Sequence, residues 1–349
     1  MSNPTWKPAD GSQMGMNLET FILEGMLGAP GASGEFTSLL NQITLAAKLI
    51  TARVRRAGLA DALGYTGETN VQGEHVAKLD VIANDMLVGA LRRRGHCAGV
   101  ATEELEDAIL FPDSTGSYLV VADPLDGSSN IDVDISIGTI FGILRIDRAK
   151  GPPTSASFLR KGNEMVAAGY VIYGSSTVLV FTTGRGVHGF TWDPSAGEFF
   201  LSHENIRCPD RGTYYSINEG YSGRWTEGVK KWAAHLKETN VADGRPYSHR
   251  YVGSLVADAH RTLLKGGIFA YPADLKTPNG KLRLLYEANP FALIFEAAGG
   301  VATTGRERVL DITPTALHQR VPLILGSTSD VETFRRFIAE DPQYMAKKA

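Results

Sequence analysis

An eight-residue string after a short apolar run constrains this chain more than any other feature; it is Asp123-Pro124-Leu125-Asp126-Gly127-Ser128-Ser129-Asn130. The apolar run at 118–122 is rich in β-branched residues, which predicts a buried strand. Pro124 has no amide hydrogen and a fixed φ, so we expect the strand ladder to stop there. A tight turn then brings Asp126 back near Asp123. Two carboxylates at this spacing can share a hard cation such as Mg²⁺.

The residues that follow Asp126 indicate a phosphate site. Gly127, Ser128 and Ser129 supply flexible backbone and three amide hydrogens, which suit a phosphate if a helix begins there. An Asp-Pro turn followed by a Ser/Gly loop is the commoner origin of such residues. The whole string, in its strand-to-turn context, favours the functional interpretation.

Length, charge and cysteine content exclude several classes of protein. A chain of 349 residues can form one large domain or two. A net charge of −3 argues against a general nucleic-acid or anionic-membrane binder. The two cysteines, Cys97 and Cys208, fit a reducing compartment rather than a disulfide framework. No apolar run approaches the roughly 20 residues of a membrane span, and no secretory signal is visible, so we expect a cytoplasmic protein.

Hydrophobic periodicity predicts a layered α/β fold. Helical spacing appears over 37–56 and 78–94. The middle third contains a series of strand patterns, over 135–146, 165–173, 177–183, 186–192 and 197–202. The last third alternates helices and strands, over 226–238, 255–265, 268–271, 289–298, 323–325 and 331–339, with Asn289 as the expected cap of its helix and Pro290 at the first position. We therefore predict two stacked α/β layers (an α+β arrangement), with an antiparallel or mixed sheet in residues 1–205 and a second mixed sheet in residues 206–349.

Five acidic residues are placed at the ends of predicted elements: Glu103, Glu104, Asp123, Asp126 and Glu287. Clustered carboxylates without compensation would have raised pKa values and would destabilise the fold. Two or more Mg²⁺ ions would resolve that conflict, and they also suit phosphoryl transfer. Adjacent acids after a strand point to different sides, so one can bind a metal while the other handles a water.

Asp80 falls in the first turn of the second predicted helix, where two interpretations are open. It can compensate the helix dipole, as acids at this position usually do. It can also be a second acid beside the metal cluster, which orients or deprotonates a water together with Glu104.

The 123–130 string resembles the metal-binding signature of class I fructose-1,6-bisphosphatases, members of the superfamily of Mg²⁺-dependent, lithium-sensitive sugar and inositol phosphatases. The resemblance extends from about residue 33 to the end. Further matching segments follow in the same order, at 136–142, 167–170, 173–175, 216–221, 250–254, 271–273, 280–287 and 303–305. The resemblance implies the sugar-phosphatase fold.

The resemblance also implies roles for individual residues at the reacting phosphate. It implies Mg²⁺ as cofactor, two or more ions per subunit, with Mn²⁺ able to substitute. The implied metal ligands are four carboxylates and one backbone carbonyl, those of Glu103, Asp123, Asp126, Glu287 and Leu125. Asp80 and Glu104 would be the water-activating pair. The backbone of Gly127, Ser128 and Ser129 would face the 1-phosphate.

A second set would hold the 6-phosphate of the sugar: Asn218, Tyr221, Tyr251, Tyr271 and Lys281. Arg250 would reach in from a neighbouring subunit of a homotetramer. Tyrosine hydroxyls donate to phosphate, and Lys and Arg supply charge. The implied reaction is hydrolysis of D-fructose 1,6-bisphosphate to D-fructose 6-phosphate and phosphate, in gluconeogenesis or the Calvin cycle. Sedoheptulose 1,7-bisphosphate is the alternative or additional substrate, and a catalytically idle sugar-phosphate sensor is the remote alternative.

Two departures from the family pattern concern loops and regulation. Glu74 stands where the family usually has Asp, so a loop or third-metal role there is open. The effector site of AMP-inhibited relatives corresponds here to residues at the start of the first predicted helix and on two later strands, namely Ser33, Gly34, Glu35, Thr37, Tyr118 and Arg145. Ser117 replaces the expected lysine, and residues 28–31 lack basic side chains. We therefore expect weak or absent AMP inhibition.

Overall fold

The structure, a computed structural model, describes residues 15–26, 34–59, 64–69 and 75–346. Its α-helices are α1 (Leu18–Met26), α2 (Glu35–Val54), α3 (Lys78–Leu91), α4 (Glu227–Lys237), α5 (Leu255–Lys265), α6 (Asn289–Ala297), α7 (Thr328–Ala339) and α8 (Pro342–Met345). The strands of the first half are β1 (Tyr65–Thr69), β2 (His75–Ala77), β3 (Cys97–Thr102), β4 (Ile109–Leu110), β5 (Tyr118–Asp126), β6 (Ile137–Arg145), β7 (Met165–Tyr173), β8 (Thr177–Thr182), β9 (Val187–Asp193) and β10 (Glu198–His203). The strands of the second half are β11 (Tyr214–Ser216), β12 (Ser248–His249), β13 (Ile268–Tyr271), β14 (Leu282–Arg283), β15 (Val301–Thr303), β16 (Arg320–Val321) and β17 (Leu323–Gly326).

The first half of the chain forms an eight-stranded sheet in the order β10-β9-β8-β7-β6-β5-β3-β4. Its neighbours are antiparallel except for β3 and β5, which are parallel. Parallel neighbours place their carboxyl ends at the same edge of a sheet, so the residues after β3 lie beside the end of β5. That edge carries the acidic residues.

The second half of the chain forms a five-stranded sheet in the order β12-β11-β13-β17-β15. Strand β11 pairs in parallel with β12 and β13, whereas β17 is antiparallel to β13 and β15. A mixed sheet in each half confirms the predicted layered α/β fold. The division into domains at 205/206 stays a prediction.

Three layers of helices pack against the two sheets, one of them between the sheets. Alternate residues of the large sheet face opposite cores, as the pleat requires: Phe141 packs with α2 and α3, and Ile140 packs with α5 and α6. The same α5–α6 core contains Phe269 and Leu325 of the small sheet. The opposite face of the small sheet packs on α4 and α7. Helices α5 and α6 therefore lie between the sheets and carry contacts from both into one core.

The prediction that Pro124 ends the strand ladder is wrong. Strand β5 continues to Asp126, and its register with β6 runs from Asp123 opposite Ile140 to Asp126 opposite Gly138. One extra residue is therefore accommodated on β5 as a β-bulge. A bulge tolerates proline because its residues leave the regular ladder. The Thr139 hydroxyl donates to the Pro124 carbonyl at 2.8 Å and holds the bulge against β6.

The prediction that Asn289 caps its helix is also wrong. A π-helical turn, Leu284–Ala288, runs directly into α6, and Asn289 has helical angles of φ −63° and ψ −48°. An N-cap residue would have extended angles. The π-turn therefore replaces the cap, and it is this turn that carries Glu287.

Candidate active site

A cavity of about 430 Å³ opens where the ends of β3 and β5 meet the start of α5 and the π-turn. Most of the predicted site residues line it. They are Asp80, Glu103, Glu104, Asp123, Leu125, Asp126, Gly127, Ser128, Ser129, Tyr251, Tyr271, Lys281 and Glu287.

Three buried carboxylates converge in this cavity. Glu103, Asp123 and Glu287 each place an oxygen within 4.8 Å of the others. They come from the end of β3, from β5 and from the π-turn, and π-turns within helices often occur at functional sites. Carboxylate oxygens are the ligands that hard divalent cations prefer. The three residues therefore fit a metal ion.

The electrostatics of the cluster favour added positive charge. Burial, followed by the charges of Glu103, Asp126 and Glu287, raises the pKa of Asp123 well above its usual range. Burial and the Glu103 charge raise the pKa of Glu287 to about 8. A cation between these groups would stabilise their ionised forms and reverse both shifts.

Arg283 supplies one positive charge from the chain itself. Its Nη2 lies 2.7 Å from Oε1 of Glu103, and both side chains are buried. Its backbone N–H also donates to the Glu287 carboxylate. The sequence indicates no role for Arg283, although it stands in the 280–287 segment, because its pairing with Glu103 joins distant parts of the chain.

Asp126 lines the same cavity and also accepts hydrogen bonds from the start of α5, whose N-cap is Ser254. The Ser254 hydroxyl and the Val256 and Leu255 amides donate to its carboxylate at 2.7, 2.8 and 3.2 Å. Burial raises the pKa of Asp126 to about 6, while these hydrogen bonds oppose the shift. The metal-ligand role of Asp126 stays a prediction, and the structure adds a second role at the start of α5.

The turn after Asp126 requires a glycine. Gly127 has φ 80°, and a Cβ at this position would lie 2.6 Å from Cβ of Ser254. Both its left-handed conformation and the close approach therefore select glycine. The helix that begins here is a short 3₁₀ helix, Ser128–Val133.

Asp80 and Glu104 both line the cavity. Asp80 is buried and accepts a hydrogen bond from the Ala77 amide at 2.9 Å, which is the local helix-start interaction. Glu104 is partly exposed, whereas Glu103 is buried, so the two adjacent acids have different environments as expected. Their role in activating a water stays a prediction.

The residues predicted for the remote phosphate form a connected group that lines the same cavity or stands beside it. Tyr251, Tyr271 and Lys281 line it directly, and the Lys281 ammonium lies 5.9 Å from the centre of the Tyr271 ring. Burial raises the pKa of the Tyr251 hydroxyl, and the neighbouring Asn218 side chain opposes that shift. Burial also raises the pKa of Tyr271, with further contributions from Tyr251 and Tyr221. Asn218 and Tyr221 therefore stand beside this group without lining the cavity.

Arg250 is not among the residues that line the cavity. Its side chain is exposed, and its Nη1 donates to the His249 carbonyl at 2.8 Å. Two side chains of α5 hold the loop that carries Arg250. The buried Asp258 carboxylate accepts hydrogen bonds from the Val252 and Gly253 amides. Arg261 donates to the Arg250 carbonyl at 2.7 Å. Sequence patterns do not identify Asp258 and Arg261, because both fit an ordinary helix.

The residues predicted for an effector site lie around the start of α2. Tyr118 pairs with Arg145 across β5 and β6, and its ring centre is 6.0 Å from that of Phe36. Burial raises the pKa of Tyr118; Arg145 lowers it and Glu35 raises it. Gly34 precedes α2 with φ 74°, and Thr37 is buried in its first turn. Ser33 and Glu74 lie outside the described residues.

Among the helices that the structure describes, none is long and apolar enough to cross a membrane.

Comparison with known proteins gives consistent matches over nearly the whole chain. The family models described as "Fructose-1-6-bisphosphatase, N-terminal domain" and "Fructose-1-6-bisphosphatase, C-terminal domain" match residues 16–204 and 208–339. A fructose-1,6-bisphosphatase class 1 of Sorangium cellulosum is 66% identical over 337 residues, 96% of this chain and 97% of the relative. One of Chlorobium luteolum is 55% identical over 324 residues, 92% of this chain and 97% of the relative.

Solved structures agree with these sequence matches. The holo form of Leishmania major fructose-1,6-bisphosphatase is 41% identical and superposes with a TM-score of 0.89, covering 94% of this chain and all of that one. The chain belongs to the class I fructose-1,6-bisphosphatase family.

Proposed function

We propose that the protein hydrolyses the 1-phosphate of D-fructose 1,6-bisphosphate to give D-fructose 6-phosphate and phosphate, a step of gluconeogenesis or the Calvin cycle, in the cytoplasm. One observation carries the proposal: the carboxylate cluster and the group of Tyr251, Tyr271 and Lys281 line the same cavity. A substrate with two phosphates matches a cavity that carries both a carboxylate cluster suited to metal ions and a separate set of phosphate-binding side chains. The activity that names the relatives supports the same reaction.

The carboxylate cluster is proposed to hold Mg²⁺, two or more ions per subunit, with Mn²⁺ able to substitute. Glu103, Asp123 and Glu287 would hold metal directly, with Asp126 and the Leu125 carbonyl completing the set. Bound there, metal ions hold phosphate oxygens, lower the pKa of a water and stabilise the leaving alkoxide.

The chain's own groups position the reactants around that site. The amides of Gly127, Ser128 and Ser129 donate to the oxygens of the 1-phosphate. Asp80 and Glu104 accept hydrogen bonds from the attacking water, and one of them takes its proton as the water attacks phosphorus. The bond between phosphorus and the C1 oxygen of the sugar breaks, and that oxygen gains a proton from solvent to leave as the alcohol.

The 6-phosphate binds to the tyrosines and Lys281 of the same cavity. Tyr251 and Tyr271 donate through their hydroxyls, Lys281 supplies charge, and Asn218 and Tyr221 support them. Arg250 completes the set from a neighbouring subunit of a homotetramer. Its exposed position, outside its own cavity, supports a role across an interface.

The test is phosphate release from fructose 1,6-bisphosphate with and without Mg²⁺, compared with sedoheptulose 1,7-bisphosphate and inositol 1-phosphate. We expect Mg²⁺-dependent release with kcat/KM highest for the fructose substrate. Folded protein that releases no phosphate from either sugar bisphosphate would favour the sensor alternative. A higher kcat/KM for the sedoheptulose substrate would reassign the substrate.

A further inference from the structure

Arg224 lies beside the tyrosines of the remote-phosphate group, and the sequence indicates no role for it. It ends the 3₁₀ helix Glu219–Arg224, whose N-cap is Asn218. Its guanidinium carbon lies 3.7 Å from the centre of the Tyr221 ring, which is close contact for a cation–π interaction. Stacking of this kind fixes the plane of the guanidinium and therefore the directions of its N–H groups.

Asp274 holds the other side of Arg224. Its carboxylate lies 3.6 Å from the Arg224 Nε, and its side chain is only 7% exposed. Asp274 is itself fixed, because its Oδ1 accepts from the Lys276 and Thr277 amides. The Leu275 amide also donates to the Arg224 carbonyl at 2.9 Å. Two independent contacts thus hold a partly exposed arginine in one place.

Arg224 stands beside the cavity without lining it, and its charge acts on Tyr271, which does line it. It opposes the burial that raises the pKa of the Tyr271 hydroxyl, so the guanidinium lies near a group that lines the cavity. The ion pair with Asp274 uses the Nε edge. Among the described residues, the two Nη groups have no hydrogen-bond partner, although each carries two N–H donors.

The charge of a phosphate requires more than one cation. A phosphate monoester carries about −1.5 to −2 charges at neutral pH. Of the two cations in the predicted phosphate group, Lys281 lines the cavity and Arg250 does not. A fixed guanidinium with free N–H donors is the side chain best suited to a second contact with phosphate.

We propose that Arg224 is a specificity-determining residue that binds the remote phosphate from within the same subunit and selects sugar bisphosphates over monophosphates. This assignment rests on the proposed function of the cavity. Tyr221 and Asp274 act as positioning residues that hold its guanidinium.

The test compares kcat/KM for fructose 1,6-bisphosphate with kcat/KM for fructose 1-phosphate, which lacks the remote phosphate. Loss of one charge-assisted hydrogen bond lowers affinity about ten- to a hundredfold. We therefore expect Arg224→Met to lower the ratio of the two kcat/KM values by that factor, mainly through KM for the bisphosphate. Arg224→Lys keeps the charge and should recover part of the ratio.

The matched control is Lys276→Met, which removes an exposed cation from the turn that contains Asp274. Its ratio should stay that of the wild type. An unchanged ratio in Arg224→Met, or an equal fall for both substrates, would overturn the proposal. Arg224→Gln, which can still donate to Asp274, provides the same comparison if the methionine variant does not fold. Wild-type protein without activity on the bisphosphate would instead refute the proposed function, before any variant is compared.

Discussion

Arg283 and Glu103 form a buried ion pair within the acidic cluster, with 2.7 Å between Nη2 and Oε1. The sequence suggests only metal ions as a source of positive charge for these acids. The structure adds a cation from the chain, on the strand that precedes the π-turn. A buried charge without its partner lowers the free energy of unfolding, so this pair contributes to stability. Glu103 is also a proposed metal ligand, so the same residue would contribute to activity.

Breaking this pair should destabilise the fold strongly. We expect Arg283→Met to lower the free energy of unfolding by about 3 kcal/mol, because it leaves the Glu103 carboxylate buried without its partner. Saturating Mg²⁺ should reduce the loss, since a cation would again offset the acids. Urea unfolding in EDTA and in Mg²⁺ measures both effects.

The control for this variant is an exposed pair of similar geometry. Arg308 lies beside Glu296 with 47% of its side chain exposed. Arg308→Met should therefore cost at most about 1 kcal/mol, with no dependence on Mg²⁺. Equal losses in the two variants would contradict the importance assigned to the buried pair.

Removing one charge from the cluster should separate stability from activity. Asp123→Asn keeps the shape of the side chain and removes a carboxylate whose pKa is raised by burial and by its acidic neighbours. We expect turnover to be abolished, while the free energy of unfolding in EDTA stays the same or rises because repulsion is relieved. Phosphate release and urea unfolding test the two parts, and near-normal turnover would refute the metal-ligand role.

The comparison variant for Asp123→Asn is Asp126→Asn, only three positions away. The Asp126 carboxylate accepts hydrogen bonds from Ser254 and from the first amides of α5. This substitution should therefore lower the free energy of unfolding by about 1 kcal/mol, the typical net contribution of a hydrogen bond. If the two variants were equally stable in EDTA, the hydrogen bonds between Asp126 and the start of α5 would not contribute to stability.

Acid pH should destabilise the protein through His260. Burial lowers the pKa of His260 to about 4, and its Nδ1 lies 2.7 Å from the Tyr170 hydroxyl. The folded pKa is below the unfolded value of about 6.5, so the unfolded state binds the proton first as pH falls. The contribution of His260 to the free energy of unfolding is therefore fully present above about pH 6.5. It is lost progressively toward about pH 4, by about 3 kcal/mol in total.

His260→Asn isolates this contribution, because it retains an acceptor for Tyr170 but does not titrate. The difference in unfolding free energy between the two proteins should change by the stated amount between neutral pH and the folded pKa. A difference that is constant over this range would show that His260 does not control the acid response. Urea unfolding at several pH values provides the measurement.

Periodicity predicts the elements well and their long-range contacts poorly. The predicted helix 255–265 and strand 268–271 coincide with α5 and β13, because amphipathic spacing is a local property of the chain. The bulge at Pro124 depends on β6, a separate strand. The first amides of α5 donate to Asp126, which is distant in sequence. Such contacts are set by tertiary packing and leave no local pattern.

In the candidate site, too, local features are predictable from the sequence and long-range contacts are not. The acids and tyrosines are identifiable by type and position, and most of them line one cavity. The side chains that orient them cannot be identified from the sequence. They are Arg283, which pairs with Glu103, and Asp258, which holds the loop that carries Arg250 and Tyr251. A buried arginine and a buried helical aspartate have the same sequence pattern as exposed ones, so only the fold distinguishes them.

A site shared between subunits should be restored by mixing variants. If Arg250 serves a neighbour while Lys281 serves its own subunit, Arg250→Ala and Lys281→Ala damage opposite sides of each interface. Hybrids assembled from both variants should then regain wild-type kinetics at about a quarter of their sites. Refolding a mixture and measuring turnover at low substrate tests this. Activity that never exceeds the mean of the two variants, or an active monomer by light scattering, would exclude a shared site.

Inhibition by AMP should be weak. The described part of the expected effector site places Tyr118 beside Arg145, but the acid Glu35 also acts on Tyr118. Ser117 stands where AMP-inhibited relatives have a lysine, so one charge-assisted hydrogen bond to the AMP phosphate is missing. Its absence should weaken binding about ten- to a hundredfold. Titration of AMP against turnover at saturating Mg²⁺ measures the inhibition, and Ser117→Lys should strengthen it by a similar factor. Half-inhibition of the wild type at low micromolar AMP, with no gain in Ser117→Lys, would show that other cations bind the phosphate.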